Sequence, residues 1–147
     1  MNKVETVKIG GINELSFIDS EGIGCSIFFQ GCKRRCSNCQ NPDLQCFDGG
    51  EEKPITDVMG YIEKNRSWYD SIAFMGGEPL DQPESLKIML KKAKNMGLKC
   101  WIYTGYERDE IPKDLLALGD VIVAGAYVEE FKTGSFPASS NQVVIRR

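Results

Sequence analysis

Three cysteines crowd into eight positions of the stretch GCKRRCSNCQNP, residues 31–42. Cys32, Cys36 and Cys39 have the spacing C-x3-C-x2-C, in a chain with six cysteines and no histidine. A loop this short can wrap three thiolates around one small inorganic object but cannot bridge distant elements. Structural zinc sites and electron-transfer [4Fe–4S] clusters are normally closed by four ligands. Three ligands leave one metal corner open, and an open corner is where a substrate or cofactor binds. Cys46 could extend the pattern to C-x3-C-x2-C-x6-C and close the site as a structural one. Spacing alone leaves both open.

A second stretch bears on the choice. Gly76-Gly77-Glu78-Pro79 offers a backbone that a ligand can approach closely, since neither glycine has a side chain. Its carbonyls can accept from an ammonium, and the Glu78 carboxylate can add charge complementarity. Alone, two glycines before a proline mean only a turn. Beside a three-cysteine loop on the same sheet edge they point to a bound amino acid. The absence of histidine removes Cys/His zinc sites, the Ser-His-Asp and Cys-His nucleophile systems and the commonest general base. Chemistry here must come from cysteine, carboxylate, backbone or a cofactor.

The elements that must position these residues are short and regularly spaced. Residues 4–9 and 12–18 flank Gly10-Gly11 and predict a small N-terminal hairpin. CSIFF (25–29) reads as a buried strand and runs directly into the cysteine loop, and DGGEEKP (48–54) reads as connection. Thr56 can cap a helix to about Asn65, with Val58, Met59 and Ile62 on one face. SIAFM (71–75) is a strand ending in GGEP. Pro83 opens a helix that carries Leu86, Met89, Leu90 and Ala93 at helical spacing and stops at Gly97. LKCWIY (98–103) leads into Thr104-Gly105-Tyr106. A helix near 107–118, a strand at 120–125 and a last strand at 142–145 complete the chain.

Strand, loop and helix in repetition make a parallel sheet with crossover helices. In such sheets ligands bind beyond the carboxyl ends of the strands, so the cysteine loop, GGEP, YTGY and GAYVEE should share one edge. At 147 residues the chain predicts one domain, residues 1–147, and too little length for a six-unit barrel. A net charge of −3 argues against nucleic acid as the main partner. No apolar run is long enough to span a membrane, and MNKVETVKIG lacks the core of a secretion signal. The expected location is the cytoplasm, where thiols stay reduced. Cys25, inside a strand, and Cys100, beside Trp101, read as small buried residues. Lys33, Arg34 and Arg35 are either a solvated turn or a local positive field for an anionic cluster or docking partner. Glu129 and Glu130 read as a solvated face.

C-x3-C-x2-C after the first core strand, with GGEP after the second, resembles the radical S-adenosylmethionine superfamily. GCSIFFQGCKRRCSNCQNP, FMGGEPL, WIYTGY and SSNQVV, in that order, resemble the family of activating proteins of anaerobic ribonucleoside-triphosphate reductase. These stretches run from about residue 22 to 145. The resemblance implies a compact α/β fold, an incomplete (β/α) barrel with a mostly parallel sheet. It implies that Cys32, Cys36 and Cys39 ligate three irons of a [4Fe–4S] cluster, and that S-adenosylmethionine chelates the fourth. Gly76, Gly77 and Glu78 match the stretch that holds the methionine amino group, and Asn38 and Gln40 match positions near the cofactor. The superfamily often has an aromatic residue just before the third cysteine, where this chain has Asn38.

The implied reaction is one-electron cleavage of S-adenosylmethionine, with a donor such as flavodoxin or ferredoxin. The resulting 5′-deoxyadenosyl radical takes a hydrogen from a glycine of the reductase, the protein substrate. No side-chain base is required, consistent with the missing histidine. Two alternatives stay open: a compact radical enzyme acting on a small molecule, such as a 7-carboxy-7-deazaguanine synthase, and a non-catalytic module with Cys46 as fourth ligand. Tyr103, Thr104 and Tyr106 either line the pocket or form a strand end and turn. Residues 139–142 either tie down the last strand or contact cofactor or partner.

Overall fold

The computed structural model describes residues 5–16, 22–32 and 49–146. Lys33, Arg34, Arg35, Cys36, Asn38, Cys39, Gln40 and Cys46 lie outside them, and the expectations placed on those residues lie outside with them. Seven strands form one sheet: β1 (Thr6–Ser16), β2 (Gly24–Phe29), β3 (Glu51–Pro54), β4 (Ser71–Gly76), β5 (Lys99–Thr104), β6 (Val121–Ala124) and β7 (Val143–Arg146), in the order β3-β1-β2-β4-β5-β6-β7. β2, β4, β5 and β6 run parallel. β1, β3 and β7 flank them in antiparallel pairing, which leaves the sheet open at β3 and β7.

The parallel strands read as continuous apolar runs because both faces are covered. With a side-chain period of two, Cys25, Ile27 and Phe29 of β2, Ile72 and Phe74 of β4, Cys100 and Ile102 of β5, and Ile122 of β6 share the main core. Helices α1 (Ile55–Lys64), α2 (Pro83–Asn95) and α3 (Lys113–Leu118) pack on that side. They contribute Val58, Met59 and Ile62, then Leu86, Met89, Leu90 and Ala93, then Leu115. The alternate residues Ala73, Trp101 and Val121 form a smaller cluster, with Met75, Tyr103 and Val144 against it. Each fully buried Leu, Ile, Phe or Met side chain of the main core stabilises the fold by roughly 1.5–3 kcal/mol.

Several expectations need correction. Gly10 and Gly11 make no turn: β1 runs unbroken through them, with a register irregularity between Ile9 and Gly11. Pairing with β2 on one side and β3 on the other outweighs the turn preference, and the strand absorbs the glycines as a bulge. The N-terminal antiparallel pair is β1 with β2. DGGEEKP contains β3, an edge strand whose charged residues carry no apolar alternation.

Thr56 does not cap α1, which begins at Ile55 after Pro54 and has no side-chain cap bond. The Ile55 N–H instead donates to Glu5 O at 2.9 Å, so the residue just before β1 supplies a partner for the helix's first N–H. The segment 107–118 is two pieces, a 3-10 turn Arg108–Glu110 and then α3, because Pro112 cannot sit inside a helix. α2 begins at Pro83, and its end is closed by Gly97 at φ +79°. Among the described residues, no helix is long and apolar enough to cross a membrane.

Candidate active site at the carboxyl ends of the strands

Parallel pairing brings the ends of β2, β4, β5 and β6 to one edge. β2 runs into Gln30, Gly31 and Cys32, and Phe29 stands in register with Gly76 at the end of β4. There the chain turns against β2. Gly77 N–H donates to Phe29 O and Glu78 N–H donates to Gly31 O, each at 2.8 Å. Cys32 therefore sits one peptide from a carbonyl that the GGEP turn holds in place.

The approach is possible only because position 76 lacks a side chain. Gly76 has φ +113°, and a Cβ there would lie 2.5 Å from Phe29 N and 2.7 Å from Phe29 O. Both are backbone atoms of a core strand and cannot step aside.

Glu78 is 1% exposed. Its Oε2 accepts from Thr104 Oγ1 at 2.7 Å and from Leu80 N–H at 3.0 Å, while Oε1 accepts from Gly105 N–H at 2.6 Å. Burial pushes its pKa up to about 7, outweighing the pull of these three donors, and the neighbouring Asp81 adds a small push. Thr104 Oγ1 in turn accepts from Tyr106 N–H at 3.1 Å, and the Tyr106 hydroxyl donates to Asp81. The carboxylate thus fastens the turn after β4 to the turn after β5.

Gln82 is a fastener that sequence reasoning missed. Its Oε1 accepts from Lys8 N–H at 2.9 Å, and its Nε2 donates to Lys8 O at 2.9 Å and Gln30 O at 3.1 Å. Nothing local marks a glutamine before a proline as a bridge to β1 and β2.

Residues 139–142 resolve as a tie. Gln142 Nε2 donates to Gly125 O, Gln142 Oε1 accepts from Ser139 N–H, and Asn141 Nδ2 donates to Ala126 O, which holds the exit of β6 against the entry to β7. Tyr103 stacks on Trp101 on the sheet face away from the main core, with ring centroids 6.5 Å apart. Phe136 packs against the same indole, and the Arg146 guanidinium lies 5.6 Å over it. Cys25 and Cys100 are fully buried, and burial pushes both thiols up to about 12, so they stay protonated and inert. Glu129 and Glu130 are exposed.

Of the proposed metal ligands, Cys32 falls within the described residues; it is 9% exposed at the base of its loop. Among the described residues no group of three His, Cys, Asp or Glu side chains could hold a metal ion. A thiolate-bound cluster fits this corner, since Cys32 is held at the strand end and the side-chain-free turn 76–77 leaves backbone beside it.

A family model described as "4Fe-4S single cluster domain" matches residues 18–145, from before the cysteine loop into β7. The chain belongs to the 4Fe–4S single cluster domain family. The anaerobic ribonucleoside-triphosphate reductase-activating protein of Escherichia coli K12 is 28% identical over 143 residues, covering 88% of this chain and 92% of that protein. The pyruvate formate-lyase-activating enzyme of Clostridium pasteurianum is 36% identical over 104 residues, covering 67% of this chain but only 44% of that enzyme. Among solved structures, QueE from Escherichia coli superposes with a TM-score of 0.52 at 15% identity, over 68% of this chain and 52% of that one. That likeness speaks to the fold alone. The family is one that carries a [4Fe–4S] cluster, and the curated relatives are activating enzymes.

Proposed function

We propose that the protein activates an anaerobic ribonucleoside-triphosphate reductase by generating a glycyl radical in it. The observation that carries this reading is the clamp between two turns, Gly77 N–H to Phe29 O and Glu78 N–H to Gly31 O, each at 2.8 Å. It puts the first cysteine and the Gly76-Gly77 backbone in one corner, as a cluster ligand and a binder of the methionine ammonium must be. The 28% identity with the Escherichia coli reductase-activating protein over 92% of its length supports the choice of substrate.

In this reading Cys32, Cys36 and Cys39 hold three irons of a [4Fe–4S] cluster and leave the fourth for the amino and carboxylate groups of S-adenosylmethionine. Gly76 and Gly77 present backbone to the ammonium, Glu78 fixes that backbone, and Asn38 and Gln40 flank the cofactor. With one electron from a flavodoxin- or ferredoxin-type donor, the bound cofactors would supply the radical chemistry that removes a hydrogen atom from the reductase's glycine. The chain's own work is binding, orientation and exclusion of water. The sheet of the described residues is open, and in this reading the protein substrate completes the enclosure.

The test is electron paramagnetic resonance of the anaerobically reconstituted, reduced protein, with and without S-adenosylmethionine, followed by mixing with purified reductase. A cluster signal that changes with the cofactor, then a glycyl radical on the reductase, is the expected result. A sample that holds zinc, or a cluster signal indifferent to the cofactor, would refute the reading. The 36% identity with the Clostridium pasteurianum enzyme favours a second substrate, pyruvate formate-lyase. Mixing with each purified protein in turn separates the two.

A further inference from the structure

The GGEP turn is held from two sides. On the β2 side, Gly77 and Glu78 bond through backbone to Phe29 and Gly31. On the β5 side the link is made of side chains, and Thr104 is its pivot. Its hydroxyl uses both of its capacities at once, donating to Glu78 Oε2 at 2.7 Å and accepting from Tyr106 N–H at 3.1 Å. Thr104 is 5% exposed and closes β5 opposite Ala124 of β6, so its backbone is fixed by the sheet. The carboxylate it holds is buried at 1% exposure, where losing a donor is costly because no solvent replaces it.

We propose that Thr104 is a positioning residue for cofactor binding. Its hydroxyl fixes the Glu78 carboxylate and, through it, the Gly76-Gly77 backbone that receives the methionine ammonium. This rests on the reading given under Proposed function. Gly105 N–H and Leu80 N–H still hold Glu78 when the hydroxyl is gone, so the turn persists but loses its definition. The cysteine loop belongs to another strand and keeps its cluster. Binding of S-adenosylmethionine therefore weakens while cluster assembly does not.

The experiment compares wild type, Thr104→Val and Thr104→Ser after anaerobic reconstitution. Iron per chain is measured first, and the electron paramagnetic resonance signal of the reduced cluster is then titrated with S-adenosylmethionine. Valine matches threonine in shape and lacks the hydroxyl; serine restores it. Iron content and the cofactor-free signal should be the same in all three. The titration midpoint should rise about 10-fold in Thr104→Val, the effect of one lost charge-assisted hydrogen bond, and return to near the wild-type value in Thr104→Ser. A change in overall stability alone would not move the midpoint of folded, iron-loaded molecules.

A Thr104→Val protein that titrates like wild type overturns the inference. So does a Thr104→Ser protein as weak as Thr104→Val, or loss of iron in Thr104→Val, which would make Thr104 a residue of the fold only. A wild-type signal indifferent to S-adenosylmethionine is a different failure: it refutes the underlying function and removes this inference with it.

Discussion

Replacing Gly76 with alanine tests whether the corner between β2 and β4 is built on close backbone approach. The new Cβ would stand 2.5 Å from Phe29 N, 2.7 Å from Phe29 O and 2.8 Å from the Phe28 carbonyl carbon, at a φ of +113°. The conformation alone costs about 1–3 kcal/mol for a residue with a side chain. Relief of the clash requires the turn to move off β2, which breaks Gly77 N–H to Phe29 O and Glu78 N–H to Gly31 O. Each such bond contributes about 0.5–1.5 kcal/mol net. The sum is about 4 kcal/mol, a large share of the ~5–15 kcal/mol of a typical domain. At ~2–4 °C per kcal/mol for a chain of this size, Tm should fall by roughly 8–16 °C.

Circular dichroism melting measures the loss, and iron content after reconstitution should fall with it because Cys32 follows the released Gly31. Gly11→Ala is the control. Nothing lies within 4 Å of a Cβ at position 11, so that variant should match wild type or gain up to ~1 kcal/mol. A Gly76→Ala protein within ~2 °C of wild type would refute the reasoning.

Three further outcomes are expected. Cys36→Ser should lose the cluster absorbance and iron, whereas Cys46→Ser should keep both; the reverse pattern would indicate a closed four-cysteine site. Glu78 titrates at about 7 in the folded chain against an ordinary 4.5, so the folded state holds a proton that the unfolded state has released. Its contribution to stability is full below pH 4.5 and is lost as pH rises to about 7; Glu78→Gln should flatten that part of the denaturation profile of the cluster-free protein, and an unchanged slope would reassign it. Gln82→Leu removes three hydrogen bonds to Lys8 and Gln30 and should cost about 1–4 kcal/mol by chemical denaturation, while a change below ~0.5 kcal/mol would mean water replaces them.

What the sequence made legible was what local pattern controls. SIAFM and LKCWIY read as strands because strands covered on both faces are apolar throughout, and Leu86, Met89, Leu90 and Ala93 marked the buried face of α2 by period alone. GGEP stood out as side-chain-free backbone that a ligand could approach; the contact that requires a glycine at position 76 is with the Phe29 backbone. What failed was decided across the sheet. Gly10-Gly11 has the chemistry of a turn, yet two neighbouring strands pair through it. EEKP has the composition of a loop, yet the free edge of β1 recruits it as β3. The links from Glu78 to Thr104 and from Gln82 to Lys8 span 26 and 74 positions, a distance that no spacing rule reaches.

Those long links have a common cause in the topology. Here the sheet stops at β3 and β7, and the four parallel strands that carry the site make up its centre. Parallel pairing brings those strand ends to one edge, where specific bonds join their end loops: Gly31 to Glu78, Glu78 to Thr104 and Gly105, Gln30 to Gln82, and Gly125 to Gln142. Gly31 to Glu78 and Gln30 to Gln82 both join the exit of β2 to the stretch after β4, whereas the other links join different pairs. Bonds of this kind hold the turn backbone at the strand ends in place, the backbone that the proposed function turns toward the cofactor.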